Sequence, residues 1–278
     1  MVTNNPTEQF PGIDELRQMR AFFNTGQTRS LEYRRKQLLA LRDAIQKNEA
    51  AIIAALQQDL HKSIEEGYST EIGLLLSELR HTLRNLKTWT APAKAKTTLA
   101  NLPSTSRIYH DPLGVVLVIS PWNYPFQLAL MPMMAAIAAG NCVVVKPSEK
   151  APATAGLIAS MIAETFSPHY ILVAQGAGEQ VIPEMIGRFR FDHIFYTGNI
   201  PVGKIIYKMA AEQLVPVTLE LGGKSPVIIE ADADIPVTAR RVALGKWLNA
   251  GQTCIAPDYV LVHESVKDDF IHELGKCI

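Results

Sequence analysis

Residues 113–145 carry no charged side chain. A run of that length must leave water, either inside a bilayer or inside the core of a folded domain. Pro121, Asn123, Pro125, Pro132, Gly140 and Asn141 punctuate it, and turn residues at that spacing break a single apolar span. The run therefore reads as strand, turn, buried helix, turn, strand: residues 115–119 and 142–145 as strands, 126–139 as the helix between them.

The same rhythm continues downstream. Helices are predicted over 153–165, 178–187 and 201–213, and strands over 171–173, 193–196 and 215–219. Strands alternating with helices of this length build βαβ units, so the expected fold is α/β, a doubly wound parallel sheet with helices on both faces. Upstream, Leu38, Leu41, Ile45, Ile52 and Leu56 recur at helical spacing over 30–60, and Tyr68, Ile72, Leu75, Leu79, Leu83 and Leu86 do so over 68–86. These segments read as an N-terminal helical layer, with Ser30 as an N-cap. Residues 91–106 read as an extended connection or an edge strand. After Leu221-Gly222-Gly223 the pattern restarts with a strand at 227–229, a helix at 235–249 and a strand at 259–262. A final helix is expected from Glu264, still running at Ile278. The glycine pair divides the chain into 1–221 and 222–278.

Composition excludes several classes of function. The chain has 27 basic and 27 acidic side chains and a formal net charge of +0, so no basic field is available for nucleic acid. Its three cysteines, Cys142, Cys254 and Cys277, have no paired spacing, which speaks for a reducing compartment. Residues 1–11 are polar, without a signal-peptide core, and read as a mobile lead-in. No G-x-S-x-G elbow, H-E-x-x-H motif or metal-ligand cluster occurs, and the seven histidines are scattered.

Five short stretches carry possible chemistry. In 249–257, Cys254 follows Gly251 among small and polar residues. Such a thiol suits nucleophilic catalysis if the site favours the thiolate; an inert buried cysteine is the competing reading. In 195–203 a glycine turn joins a strand to a helix start, a place where backbone N–H groups bind phosphate; an ordinary β-to-α turn fits as well. Lys146 and Glu149 follow a buried strand and could grip ribose hydroxyls, or form a solvated turn. Asn123, between two stiffening prolines, could donate to an oxyanion, or belong to an aromatic packing turn. Glu220, at a strand end beside glycines, could act as a general base, or be plain surface.

Taken together, residues 115–264 resemble the aldehyde dehydrogenase superfamily. The resemblance is carried by Pro-Trp-Asn-Tyr-Pro, Lys-Pro-Ser-Glu, Thr-Gly-Asn-x-x-x-Gly, Leu-Glu-Leu-Gly-Gly-Lys-Ser-Pro and Gly-Gln-Thr-Cys, in that family's order. The wording is most similar to its class 3 or fatty-aldehyde branch. The resemblance implies a Rossmann-like cofactor domain followed by the opening of a catalytic domain. It also implies oxidation of an aldehyde to a carboxylic acid through a cysteine thiohemiacetal and thioester. Cys254 would be the nucleophile, Asn123 the oxyanion donor and Glu220 the base for hydrolysis. NAD or NADP would be held by Trp122, Lys146, Glu149, Gly176, Gly198, Asn199, Gly203 and Leu221, with no metal. Asn199 stands where many members have Ser, and its amide can still donate to a phosphate. Glu149 would repel a 2′-phosphate and favour NAD. Members of this family continue well past the position of Ile278, so the chain is expected to be truncated, and a nucleotide-binding fragment without turnover is the alternative reading. The expected setting is the cytoplasm, with a small-molecule aldehyde as substrate, no membrane span within these residues and a homodimer at full length. Some relatives carry a membrane-anchoring tail that would lie beyond Ile278.

Overall fold

The computed structural model describes residues 12–278, and the lead-in expected over 1–11 lies outside them. The helical layer is built from α1 (Ile13–Asn24), α2 (Leu31–Lys47), α3 (Glu49–Leu60), α4 (Ile64–Gly67) and α5 (Gly73–Trp89). α1 is an addition to the expected helices: Ile13, Leu16, Met19 and Phe23 recur at helical spacing, and Leu16 and Met19 are buried. The single helix expected over 30–60 is two helices. Asn48 breaks it by turning its own side-chain amide onto the Ala44 carbonyl at 2.8 Å, a local bond that competes with the helical ladder. Ser30 caps α2 as expected, accepting from the Tyr33 N–H. Between α4 and α5 the chain makes a π-helical turn, Tyr68–Ile72.

The segment expected to be extended contains an antiparallel pair, β1 (Ala93–Ala95) and β2 (Ser106–Ile108). The central sheet follows: β3 (Val115–Ile119), α6 (Gln127–Ala139), β4 (Cys142–Lys146), α7 (Pro152–Thr165), β5 (Ile171–Val173), α8 (Gly178–Arg188), β6 (His193–Gly198), α9 (Ile200–Glu212) and β7 (Val217–Leu221). Its strand order is β5-β4-β3-β6-β7. β3 runs parallel to both β4 and β6, and β4 parallel to β5. β3 and β4 are buried at all five of their positions, so both faces of the sheet are covered. The chain enters in the middle, winds out through β4 and β5, then returns to place β6 beside β3. That reversal is the topological switch point, outside whose strand ends open α/β sheets bind ligands.

Two glycines make the entry and exit of this region possible. Gly114, at φ +147, precedes β3, and a Cβ there would fall 1.8 Å from Asp192 Oδ2. That carboxylate accepts from the Val115 N–H at 2.7 Å and pairs with Arg20 at 2.5 Å, tying α1 to the sheet. Gly140, at φ +89, ends α6 in the left-handed conformation. A Cβ there would lie 2.6 Å from the Arg34 guanidinium, which is buried and donates to the Ala138 and Thr28 carbonyls.

Contacts divide the chain into two compact units. One runs through Thr197 and resumes over Pro201–Glu220; the other comprises Gly198–Ile200 and Leu221–Ile278. The second unit holds β8 (Ser225–Ile229), α10 (Ile235–Trp247), β9 (Pro257–Val262) and α11 (Lys267–Gly275), with β8 and β9 parallel. Its core is Ile229, Ile235, Ala239 and Phe270, with Val227, Val260 and Leu274 packed against them. Asp234 caps α10, accepting from the Val237 N–H at 3.0 Å. α10 stops at Trp247 rather than at Asn249, and the last helix ends at Gly275 instead of running on to Ile278. Among the described residues no helix is long and apolar enough to cross a membrane.

Candidate active site

Most of the residues selected from the sequence lie at strand ends or in the turns that follow them; Gly203 lies inside α9, and Cys254 lies on the turn between α10 and β9. β3 is continued by the Ser120 N–H donating to the Lys146 carbonyl at 3.1 Å, and then turns through 121–125 into α6. Trp122 is exposed and Asn123 half-buried on this turn. The turn is anchored from below by a group the sequence reading missed. Glu71 is fully buried; its Oε2 accepts from the Phe126 and Gln127 N–H groups at 3.0 and 2.9 Å, and its Oε1 takes the Lys62 ammonium at 2.5 Å. Burial pushes the Glu71 carboxyl up, against the pull of Lys62 and the two amides. A signal was present: Glu71 stands in phase with Leu75 and Leu79, an acid on an apolar helix stripe.

At the end of β4, Lys146 is buried and its ammonium reaches the Glu149 carboxylate at 2.5 Å and the Pro147 carbonyl at 2.9 Å. Burial raises the affinity of Glu149 for a proton. The hydrogen bonds from Lys146 and from the backbone, including Gly178 N–H at the start of α8, outweigh it and hold the carboxyl below its usual range. Glu149 is thus a partly exposed carboxylate beside a buried cation, with spare acceptor capacity. α7, which leaves this loop, is capped from a distance: Asp59 accepts from the Ala153 and Thr154 N–H groups at 3.0 and 2.7 Å. Gly176, at φ +117, shapes the turn after β5.

Gly198 is the last residue of β6, Asn199 is exposed, and Gly203 is buried in the first turns of α9. β7 runs two residues later than expected. Glu220 therefore lies within the strand, exposed, followed by half-buried Leu221 as the strand's last residue.

The cysteine turn has a conformation that residue types alone did not foretell. After α10, Asn249 and Ala250 are both left-handed at φ +53, and Gly251 follows at φ +80. Non-glycine residues held there store strain and need support from their surroundings. The support is a clasp: Gln252 donates from its backbone N–H and its side-chain amide to the Asn249 carbonyl, both at 3.0 Å, and Asn249 is itself buried. The turn then presents Cys254, the exposed one of the three cysteines; Cys142 is buried and Cys277 intermediate. The reading of Cys254 as an inert buried thiol is thereby set aside.

The structure pairs Lys146 with Glu149, sets Trp122 beside Asn123 on one turn, and sets Glu220 beside Leu221 on one strand. Asn123, Lys146, Glu149, Gly176, Gly203 and Glu220 belong to the first compact unit; Gly198, Asn199, Leu221 and Cys254 belong to the second.

A doubly wound sheet with glycine turns at its switch point and a thiol on a clasped turn belongs to the α/β proteins that bind ligands at strand ends. The chain belongs to the aldehyde dehydrogenase family, which it matches over residues 14–277. It is 48% identical over 259 residues to the 4,4′-diaponeurosporen-aldehyde dehydrogenase of Staphylococcus aureus, covering 93% of this chain and 56% of that protein. It is 43% identical to the dimeric NADP-preferring aldehyde dehydrogenase of Canis lupus familiaris (93% and 57% covered). To aldehyde dehydrogenase family 3 member A2 of Macaca fascicularis it is 42% identical (95% and 54% covered). The substrate-bound structure of Staphylococcus aureus AldH matches with a TM-score of 0.92 and 48% identity, over 95% of this chain and 57% of that one. The chain spans about half the length of these relatives.

Proposed function

We propose that the protein oxidises an aldehyde to a carboxylic acid through a covalent intermediate on Cys254. The observation that carries this reading is an exposed thiol on a strained, clasped turn in a chain of this family. As a thiolate, Cys254 adds to the aldehyde carbonyl and forms a thiohemiacetal. The Asn123 amide, on a turn stiffened by two prolines, donates to the oxyanion. NAD or NADP, when bound, would accept the hydride that leaves the thiohemiacetal carbon as the oxyanion collapses to a carbonyl, so that Cys254 would hold a thioester. Glu220 takes a proton from water, which attacks the thioester and releases the acid and the Cys254 thiolate.

The dinucleotide fits residues at the strand ends. Lys146 and Glu149 have the cation and the carboxylate that adenosine ribose hydroxyls would meet, and Trp122 and Gly176 would line the cofactor. Gly198 and Asn199 at the β6–α9 junction, Gly203 in α9 and Leu221 at the end of β7 are the residues proposed to meet the pyrophosphate. The ionised Glu149 carboxylate favours NAD over NADP, although the canine relative is by name NADP-preferring. Residues 1–221 serve as the helical layer and cofactor domain, and 222–278 as the opening of the catalytic domain. An apolar aldehyde fits the branch resemblance. The cysteine usage suits a cytoplasmic setting, and a homodimer is the assembly proposed for the whole protein.

The test is Cys254→Ala in the whole protein, assayed for reduced cofactor formation with a medium-chain aldehyde. Turnover should vanish while nucleotide binding persists. Turnover near the wild-type rate would refute the role of the thiol.

A further inference from the structure

We propose that the buried Lys62–Glu71 pair is a positioning device that sets the Asn123 turn for oxyanion stabilisation. The inference rests on the role proposed above for Asn123. The pair holds three of the four residues that follow Asn123, through two amides and one ring. Glu71 accepts from the N–H groups of Phe126 and Gln127, the orphan donors at the start of α6. Lys62 places its ammonium 4.2 Å from the centroid of the Tyr124 ring. The Tyr124 carbonyl in turn accepts from the Leu128 N–H at 3.0 Å, joining the held ring to the held helix start. On the other side of the turn, Ser120 is bonded into the β3–β4 ladder. Asn123 is therefore fixed from both directions along the chain.

Stability alone does not account for this arrangement. Both side chains are almost completely withdrawn from water, at 1% and 0% exposure. Taking two charges out of water costs more than their attraction returns unless the geometry is nearly ideal, and apolar side chains of similar size would fill the space as well. What the pair adds is direction: a carboxylate aimed at two specific amides and a cation aimed at one specific ring. Glu71 is carried on the π-helical turn Tyr68–Ile72, a distortion frequently found at functional sites.

The experiment compares, in the whole enzyme, the wild type, Lys62→Met combined with Glu71→Gln, Tyr124→Leu, Asn123→Ala, and both the paired change and Tyr124→Leu on the Asn123→Ala background. The paired change keeps an acceptor for the α6 amides and leaves no buried charge without a partner. Pre-steady-state acylation with a medium-chain aldehyde and NAD is measured alongside nucleotide affinity and thermal unfolding. The paired variant should acylate on the order of 10- to 100-fold more slowly, as misplaced catalytic groups do. Its nucleotide affinity should stay within about twofold of wild type, and on the Asn123→Ala background the same change should cost nothing further. Wild-type acylation in the folded paired variant, or an equal slowing on both backgrounds, would overturn the inference. Should the paired variant not fold, Tyr124→Leu is read on the same two backgrounds. It leaves the ion pair whole and releases only the ring, so slowing confined to the Asn123 background supports positioning and a wild-type rate overturns it. If Asn123→Ala itself acylates normally, the oxyanion role fails first and takes the positioning role with it.

Discussion

The cofactor-selecting role proposed for Glu149 rests on the charge of its carboxylate. Its proton affinity is kept low by Lys146 and by backbone N–H groups, so it is charged at neutral pH. A 2′-phosphate placed against it meets like charge. Glu149→Gln should therefore raise kcat/KM for NADP relative to NAD by about tenfold, the ~1.4 kcal/mol expected of one partly solvated charge pair. Paired steady-state assays check this, and an unchanged ratio would remove Glu149 from the cofactor-selecting role. His193 makes a different residue-scale statement. Its Nε2 lies 3.1 Å from Thr218 Oγ1, linking β6 to β7, and burial lowers its pKa below the ordinary 6.5. Between the lowered value and 6.5 the unfolded chain binds more protons than the folded one, so stability rises with pH across that window. The contribution is fully present above 6.5 and is lost as pH falls through the folded value. Unfolding midpoints followed downward from neutral pH should decline less steeply in His193→Gln than in wild type; equal slopes would contradict this.

At the scale of elements, the N-terminal helices do more than cover the sheet. Glu71 closes the start of α6 and Asp59 the start of α7, the two helices that leave the Asn123 and Lys146 turns. Asp59→Ala should cost about 1–2 kcal/mol in urea unfolding, the worth of an N-cap serving two amides; no loss would mean the bonds are not held in solution. The partners of neither cap were legible in the sequence, because each bond joins residues far apart in the chain; the phase of Glu71 with Leu75 and Leu79 marks a buried acid but not the amides it caps. The alternation of strands and helices was legible, because strands buried on both faces leave runs such as Val115-Val116-Leu117-Val118-Ile119 with no polar residue. α1 was missed although Ile13, Leu16, Met19 and Phe23 recur at helical spacing, a stripe of the same kind as those on the helices that follow. The break at Asn48 and the left-handed pair Asn249–Ala250 depend on bonds made by single amide side chains, which composition does not reveal.

At the scale of the whole molecule, the chain supplies a sheet with its switch point beside the Asn123 turn, and a second unit that presents a thiol. The turns after β3, β4 and β6 were readable as strand-end turns, whereas the conformation of the Cys254 turn after α10 was not. The sequence did not show which site residues touch; in the structure Lys146 and Glu149 do. The central claim is that Cys254 carries the acyl group between oxidation and hydrolysis. Glu220→Gln isolates that moment, because it should leave acylation intact and slow the attack of water. Rapid quench of this variant with NAD and a medium-chain aldehyde, followed by peptide mass analysis, should find the acyl group on the Cys254 peptide in near-stoichiometric amount. A burst of reduced cofactor with no acyl mass on Cys254 would contradict the account.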